Sequence, residues 1–307
     1  MHRLGGVGRL LPNAHLLIGP HLRLEAVQSS KIEGTRTDVG QLLLFEAGRA
    51  PDEEARADAE EVRNYVDAME HGRRRLGEDF PLSMRLFREM HKVLLRGVRG
   101  RYRRPGELRT SSVWIGGSSL NNAVFVPPPP ERAMEALDDL ELFLHDDSLP
   151  LLIQLGLAHY QFEAIHPFLD GNGRIGRLMI PLMLEYREVL PQPLLYLSAY
   201  FERNRIGYYD LLLRTSQKGD VVPWLTFFLR GVLTQAQDAE ERTVRRVELQ
   251  AGLRSALLDE RQPRSVVRLG DLLFTSPILN SSVVAQRLDV AAPTAHRAIA
   301  TLVERGD

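Results

Sequence analysis

The chain has 307 residues, 44% of them hydrophobic, a formal net charge of −1 and no cysteine. That length can hold one sizeable core and a smaller module; the near-neutral balance gives no general pull toward nucleic acid or an anionic membrane, and the absence of cysteine excludes disulfides, thiolate metal sites and cysteine nucleophiles. No apolar stretch reaches membrane-spanning length and residues 1–30 lack a basic segment leading into a compact apolar core, so a cytoplasmic protein without membrane attachment is expected.

Helical spacing dominates from Leu22 to Arg230, which predicts a mainly α fold. In the N-terminal region, residues 1–100, Ser29 to Gly34 reads SSKIEG and closes a helix over about 21–34. Ser29 stands one turn before Glu33, and Gly34 serves as the C-terminal cap. Glu53 to Arg75 is a charged amphipathic helix and Met84 to Leu95 a shorter, apolar-striped one. Residues 101–235 form the next region. There, Val113, Ile115, Val124 and Val126 flank Gly116-Gly117 and Asn121-Asn122, predicting a β-hairpin over 110–127 that the Pro127 to Pro130 run ends. Such a hairpin either covers the core or pairs its open edge with an extended target segment. A helix over Glu131 to His145 follows.

Residues His166 to Arg177 read HPFLDGNGRIGR, between helical segments at Leu151 to Ile165 and Ile175 to Val189. Pro167 disfavours helix at His166, so the first segment ends there. Gly171, Asn172 and Gly173 can expose backbone N–H groups, and the start of the next helix adds unpaired donors; together these attract a phosphate. Arg174 and Arg177, three residues apart, share a helix face and offer planar forks to phosphate oxygens. Asp170 is a hard oxygen ligand of the kind Mg²⁺ accepts beside substrate phosphates. His166 has an unperturbed pKa near neutrality and can take a proton from an incoming hydroxyl. His159, seven residues earlier on the same helical face, is assigned to the core.

Residues 236–264 are rich in charge and predict a solvated connecting helix that ends before Pro263. The final module, 265–307, has a helix-turn-helix pattern, with helices at Ser282 to Leu288 and Pro293 to Glu304 around a turn at Asp289 to Ala292. Thr294, His296 and Arg297 are a thin set for the phosphate contacts that DNA binding needs, so dimerisation or domain packing is the favoured role of this module.

The loop matches the Fic family signature HxFx(D/E)GNGRxxR at every defined position, and the chain resembles that family over roughly residues 20–235. The resemblance extends to Thr110 to Pro130, similar to the family's flap, and to Ser198 to Arg230, similar to its later helices. Residues 265–307 resemble the winged-helix tails carried by many Fic proteins, truncated where a wing would begin. The resemblance implies a Fic/Doc-type helical domain that transfers AMP from ATP, with Mg²⁺, to a Ser, Thr or Tyr hydroxyl of a target protein. His166 would be the general base and Asp170 the metal ligand. Gly171, Asn172, Gly173, Arg174, Ile175, Gly176 and Arg177 would surround the phosphates, with Arg177 on the γ-phosphate. Tyr209 would line the nucleotide site, its neighbour Tyr208 being the other candidate, and Val113, Ile115, Gly116 and Gly117 would dock the target. SSKIEG fits the family's (S/T)xxxE(G/N) inhibitory pattern, placed before the loop as in the N-terminal inhibitory class; Ser29 and Glu33 would then block Arg177.

Two other functions stay open at this point. A hydrolase could remove AMP from a modified protein, with Glu33 orienting a water. A regulator could bind DNA through the C-terminal module and keep an incidental nucleotide pocket. A second copy of the chain is carried as a further partner.

Overall fold

In a computed structural model, the structure describes residues 15–49, 52–190 and 192–306. The first fourteen positions of the expected N-terminal region, and Asp307 of the last module, lie outside the described residues. Thirteen α-helices are described: α1 (His15–Ile32), α2 (Val39–Glu46), α3 (Glu53–Gly77), α4 (Met84–Leu94), α5 (Pro130–Leu144), α6 (Leu151–Ile165), α7 (Asn172–Tyr186), α8 (Ser198–Arg203), α9 (Arg205–Lys218), α10 (Val221–Asp259), α11 (Arg264–Leu273), α12 (Ser281–Leu288) and α13 (Ala292–Arg305). The mainly α expectation holds.

Local chemistry explains the helix ends. Asp38, Asp52, Ser83 and Asn280 cap α2, α3, α4 and α12 by accepting a backbone N–H three residues on. α3 also places Glu53 and Glu54 in its first turn and Arg74 and Arg75 in its last, complementing the helix dipole. α1 stops at Ile32, and Gly34 takes φ +101°, a conformation that a side chain would strain.

α7 is the centre of the main core. Leu178, Met179, Leu182 and Met183 are all fully buried, and α1, α3, α4 and α6 surround them. A helix sheathed this way presents its N-terminus, and the loop before it, from a rigid base. α10 runs unbroken for 39 residues, through the expected boundary at 235–236. Its first half joins the main core at Trp224 and Phe228, and its far end packs on α11 and adds Leu257 to the core of α11, α12 and α13. Those last helices close a separate small core around Leu257, Leu269, Val284 and Leu302.

The expected hairpin is reduced. Among the described residues, the only β pairing is one antiparallel bridge between Ile115 and Phe125. Gly116 and Gly117 both take positive φ, and the Asn122 side chain closes a tight polar turn by accepting from the N–H groups of Ser118 and Ser119. Trp114, Val124 and Val126 stay exposed, so no buried face pays for extending the ladder. No helix among the described residues is long and apolar enough to cross a membrane.

Candidate active site

His166 ends α6 in the left-handed conformation, φ 52° and ψ 61°, which costs a non-glycine residue roughly 1–2 kcal/mol. Arg109 holds it there. This buried guanidinium donates to the backbone carbonyl of His166 at 2.8 Å, to those of Ile165 and Ser111 at 3.2 Å, and to that of Pro128. The Arg109 N–H donates to Pro167 O at 2.9 Å. Arg109 thus ties the base of the 110–127 segment to the end of α6.

The next turn is fixed from two sides. Asn172 accepts the Phe168 N–H at 2.8 Å and donates to Phe168 O at 2.9 Å, so its side chain braces the loop and leaves its backbone N–H for a ligand. His91 accepts the Gly106 N–H at Nδ1, 2.8 Å, so Nε2 carries the proton and donates to Asp170 O at 2.9 Å. Its ring stacks on Phe168 with centroids 3.9 Å apart, and burial pushes its pKa to about 4, keeping it neutral. Gly171, at φ +78°, then turns the chain into α7. The first bond to its carbonyl comes from Ile175 N–H at 3.1 Å, which leaves the N–H groups of Asn172, Gly173 and Arg174 as the helix's unpaired donors.

Both loop arginines are buried, 2% exposed at Arg174 and 1% at Arg177. Arg174 lies between Glu61, 3.4 Å away, and Asp170, 3.6 Å away. Burial raises the Glu61 pKa, against the attraction of Arg174 and Arg99. Asp170 Oδ1 also accepts the Gly171 N–H at 2.7 Å. Among the described residues no group of three metal-ligating side chains occurs, so a cation here would rest on Asp170 as its protein ligand. That suits Mg²⁺, which keeps water and substrate phosphates in most of its coordination positions.

Arg177 is held by α1. Its Nε donates to Ser29 Oγ at 2.8 Å, and its Nη2 to Ser29 O at 3.1 Å and to Glu33 Oε1 at 2.6 Å. Burial alone would raise the Glu33 pKa; Arg177, by charge and hydrogen bond, then Arg174 and His166, lower it below its ordinary value. The pair is therefore charged, and Glu33 raises the pKa of Arg177 in turn. One turn back on the same face, the buried Glu25 accepts from Ser198 Oγ at 2.5 Å and from Tyr65 OH at 3.1 Å, which anchors α1 to α8 and α3.

A cavity of about 370 Å³ opens beside this pair. His166, Gly173, Arg177 and Glu33 line one side; Ile115, Gly116 and Tyr209 face them. Burial drops the His166 pKa to about 4, opposed by the nearby Glu163 carbonyl and the Glu33 carboxylate, so the ring is an unprotonated base at neutral pH. Glu163, in the same wall, is raised by burial to about 7.

The structure thus gathers His166, Asp170, Gly171, Asn172, Gly173, Arg174, Arg177, Ser29 and Glu33 around one loop, with Ile115, Gly116 and Tyr209 across the cavity. Val113 and Gly117 lie outside the cavity wall. The Ile175 side chain is buried in the core, and the Gly176 carbonyl accepts from His159 Nδ1 at 3.0 Å. His159 accepts from Tyr208 OH at 2.9 Å on its other nitrogen, so it is a fully satisfied core histidine and Tyr208 a core residue. Sequence reasoning missed Arg109, His91, Glu61 and Glu163; the first three come from segments distant in sequence, and no local pattern marks them.

Residues 1–74 match a family model described as Fic/DOC family N-terminal, and residues 81–184 one described as Fic/DOC family. The protein adenylyltransferase fic-1 of Caenorhabditis elegans is 32% identical over 125 residues, covering 40% of this chain and 22% of that protein. The protein adenylyltransferase Fic of Drosophila melanogaster is 27% identical over 203 residues, 64% of this chain and 37% of that protein. The chain therefore spans well under half the length of these curated relatives. Two solved structures share the fold: a Fic family protein from Desulfovibrio desulfuricans G20, at 24% identity and TM-score 0.62 over 96% of this chain and 85% of that one, and a Fic domain containing signaling protein from Bacteroides thetaiotaomicron VPI-5482, at 21% identity and TM-score 0.64 over 79% and 94%. With family models matching residues 1–74 and 81–184, the second containing the complete HPFLDGNGRIGR loop, the chain belongs to the Fic/DOC family.

Proposed function

We propose that this protein is an autoinhibited protein adenylyltransferase, and the observation that carries it is the Glu33–Arg177 pair inside an otherwise complete loop. In the transfer, neutral His166 takes the proton of a target hydroxyl while that oxygen bonds to the α-phosphorus of ATP; the bond to the bridging oxygen breaks and pyrophosphate leaves. The N–H groups of Asn172, Gly173 and Arg174 meet the negative charge that develops on the phosphates. Mg²⁺ bound through Asp170 would supply charge neutralisation for the leaving pyrophosphate. Tyr209 offers its ring to the adenine, and the segment that brings Ile115 and Gly116 to the cavity wall would dock the target.

Arg177 would hold the γ-phosphate, and the Glu33 carboxylate stands where that phosphate must come. A carboxylate and a phosphate compete for one guanidinium, so the brake is electrostatic and direct. Glu33 remains 30% exposed, which leaves it a route out. The test is transfer of radiolabelled AMP from ATP by wild type, Glu33→Gly and His166→Ala. Transfer rises at least about tenfold in Glu33→Gly and vanishes in His166→Ala; equal transfer by wild type and Glu33→Gly overturns the brake.

A second activity is favoured by one observation. Glu33 stays ionised in the cavity that also holds His166, which is where a water attacking an AMP-modified side chain would need a base. Loss of AMP release from a pre-modified protein in Glu33→Gly, alongside gain of transfer, assigns both directions to this site.

A further inference from the structure

Far from the loop, a cavity of about 500 Å³ lies between α1, α2, α10 and the start of the C-terminal module. Leu24, Val39, Leu43, Leu249 and Phe274 give it an apolar floor. Arg242, Arg245 and Arg246 project into it from α10 at helical spacing i, i+3, i+4, which places them on one face. No acidic side chain lines it.

The charges there are unequal in their partners. Arg23, in the same wall, pairs with Glu46 at 2.8 Å, and Arg242 with Asp238 at 3.0 Å. Arg245 and Arg246 have no acidic partner among the described residues. Arg246 Nη1 is buried without a hydrogen bond, and burial together with repulsion from Arg242 lowers its pKa, with no carboxylate offsetting either. A half-buried guanidinium with one nitrogen sealed from water and unpartnered, beside a like charge, is a costly arrangement that an anion relieves. The cavity's size falls in the range of small-molecule sites, as does its mix of apolar floor and few polar groups.

We infer that this cavity binds a small phosphorylated organic molecule, its phosphate on Arg245 and Arg246 and its apolar part on the Leu24–Leu43–Phe274 floor. Two unpartnered guanidiniums call for about two negative charges, which a phosphate monoester carries near neutral pH and a single carboxylate does not. Pro20, His21, Arg23 and Leu24 form the α1 wall; Glu25 and Ser29 follow on that helix, and Glu33 in the turn that ends it. A ligand that fits this wall stabilises α1 where it is docked, and so strengthens the hold on Arg177. That regulatory consequence rests on the autoinhibition proposed above; the binding does not.

The probe is phenyl phosphate, titrated calorimetrically into the full chain. One site is expected in wild type, with affinity falling about tenfold or more in both Arg245→Gln and Arg246→Gln, and far less in Arg177→Ala, which acts only through the docking of α1. Arg245 is exposed, so its replacement tests the site without endangering the fold. Absence of binding to wild type, or weakening that follows Arg177 and spares Arg245 and Arg246, overturns the proposal. Phenyl phosphate should also lower AMP transfer by wild type and leave Glu33→Gly unaffected; because calorimetry reads binding alone, failure of the adenylyltransferase assignment would not be mistaken for failure of the site.

Discussion

Gly173 and Glu33 lie so close that a methyl group on the glycine would stand 2.5 Å from Glu33 Oε1 and 2.8 Å from Arg177 Nη1. The ion pair therefore depends on a missing side chain in the loop as much as on the charges. In Gly173→Ala the carboxylate must withdraw. Amide hydrogen exchange across residues 29–34 is expected to rise at least about tenfold, whereas Gly207→Ala, whose added carbon meets nothing within 4 Å, leaves it unchanged. Unaltered exchange in Gly173→Ala would show that the pair tolerates the crowding.

Arg109 reaches four carbonyls at once, and lysine's single ammonium cannot reproduce that fork. Arg109→Lys should cost about 3 kcal/mol or more of stability, because several buried carbonyls lose their donor. It should also release His166 from its left-handed conformation. AMP transfer by the Glu33→Gly background is expected to fall at least about tenfold while far-ultraviolet circular dichroism stays the same; full activity would place the positioning of His166 elsewhere.

Burial lowers the His166 pKa to about 4, so the ring is unprotonated above that pH and loses its basic form as pH falls through it. The value of kcat/KM for the Glu33→Gly enzyme should therefore stay level from about pH 8 down to about pH 5. An acid inflection near pH 6.5 in that profile, the range of an exposed histidine, would contradict this burial.

Glu163 titrates the other way. Its folded pKa of about 7 lies above the ordinary value of 4.5, so the folded state prefers the protonated form. The stability it contributes is complete below about pH 4.5 and declines as pH rises through about 7. Glu163→Gln removes that decline: at pH 8 the variant is expected to be more stable than wild type, by up to about 3 kcal/mol, with the two converging at pH 4.5. Denaturant unfolding at both pH values measures it, and equal stability at pH 8 would count against a neutral Glu163.

The chemistry of the loop was legible because it is contiguous. His166, Asp170, Arg174 and Arg177 are set by one turn and one helix start, which local sequence dictates. Glu33 was legible through a six-residue pattern, and its partner followed from the loop. Arg109, His91 and Glu61 were not legible, since a lone arginine, a helix histidine and a helix glutamate acquire roles only when tertiary packing brings them to the loop. The hairpin was over-read: alternating valines and isoleucine satisfied the strand period, but two positive-φ glycines and an Asn122-closed turn left a single bridge. The boundary at 235–236 falls inside α10, because the change there from apolar to charged residues alters a helix's surroundings without ending it.

Helix α10 is a single strut joining the two cores. At 1.5 Å per residue its 39 residues span about 58 Å, and its buried positions run from Trp224 to Thr243 before the small core takes over at Leu257. The base is seated by Trp224, whose indole N–H donates to Gly156 O at 2.8 Å on α6, the helix that delivers His166. The helix that reaches the C-terminal module is therefore pinned, in its first turn, to the helix whose end carries His166, so the small core and the loop rest on one shared support.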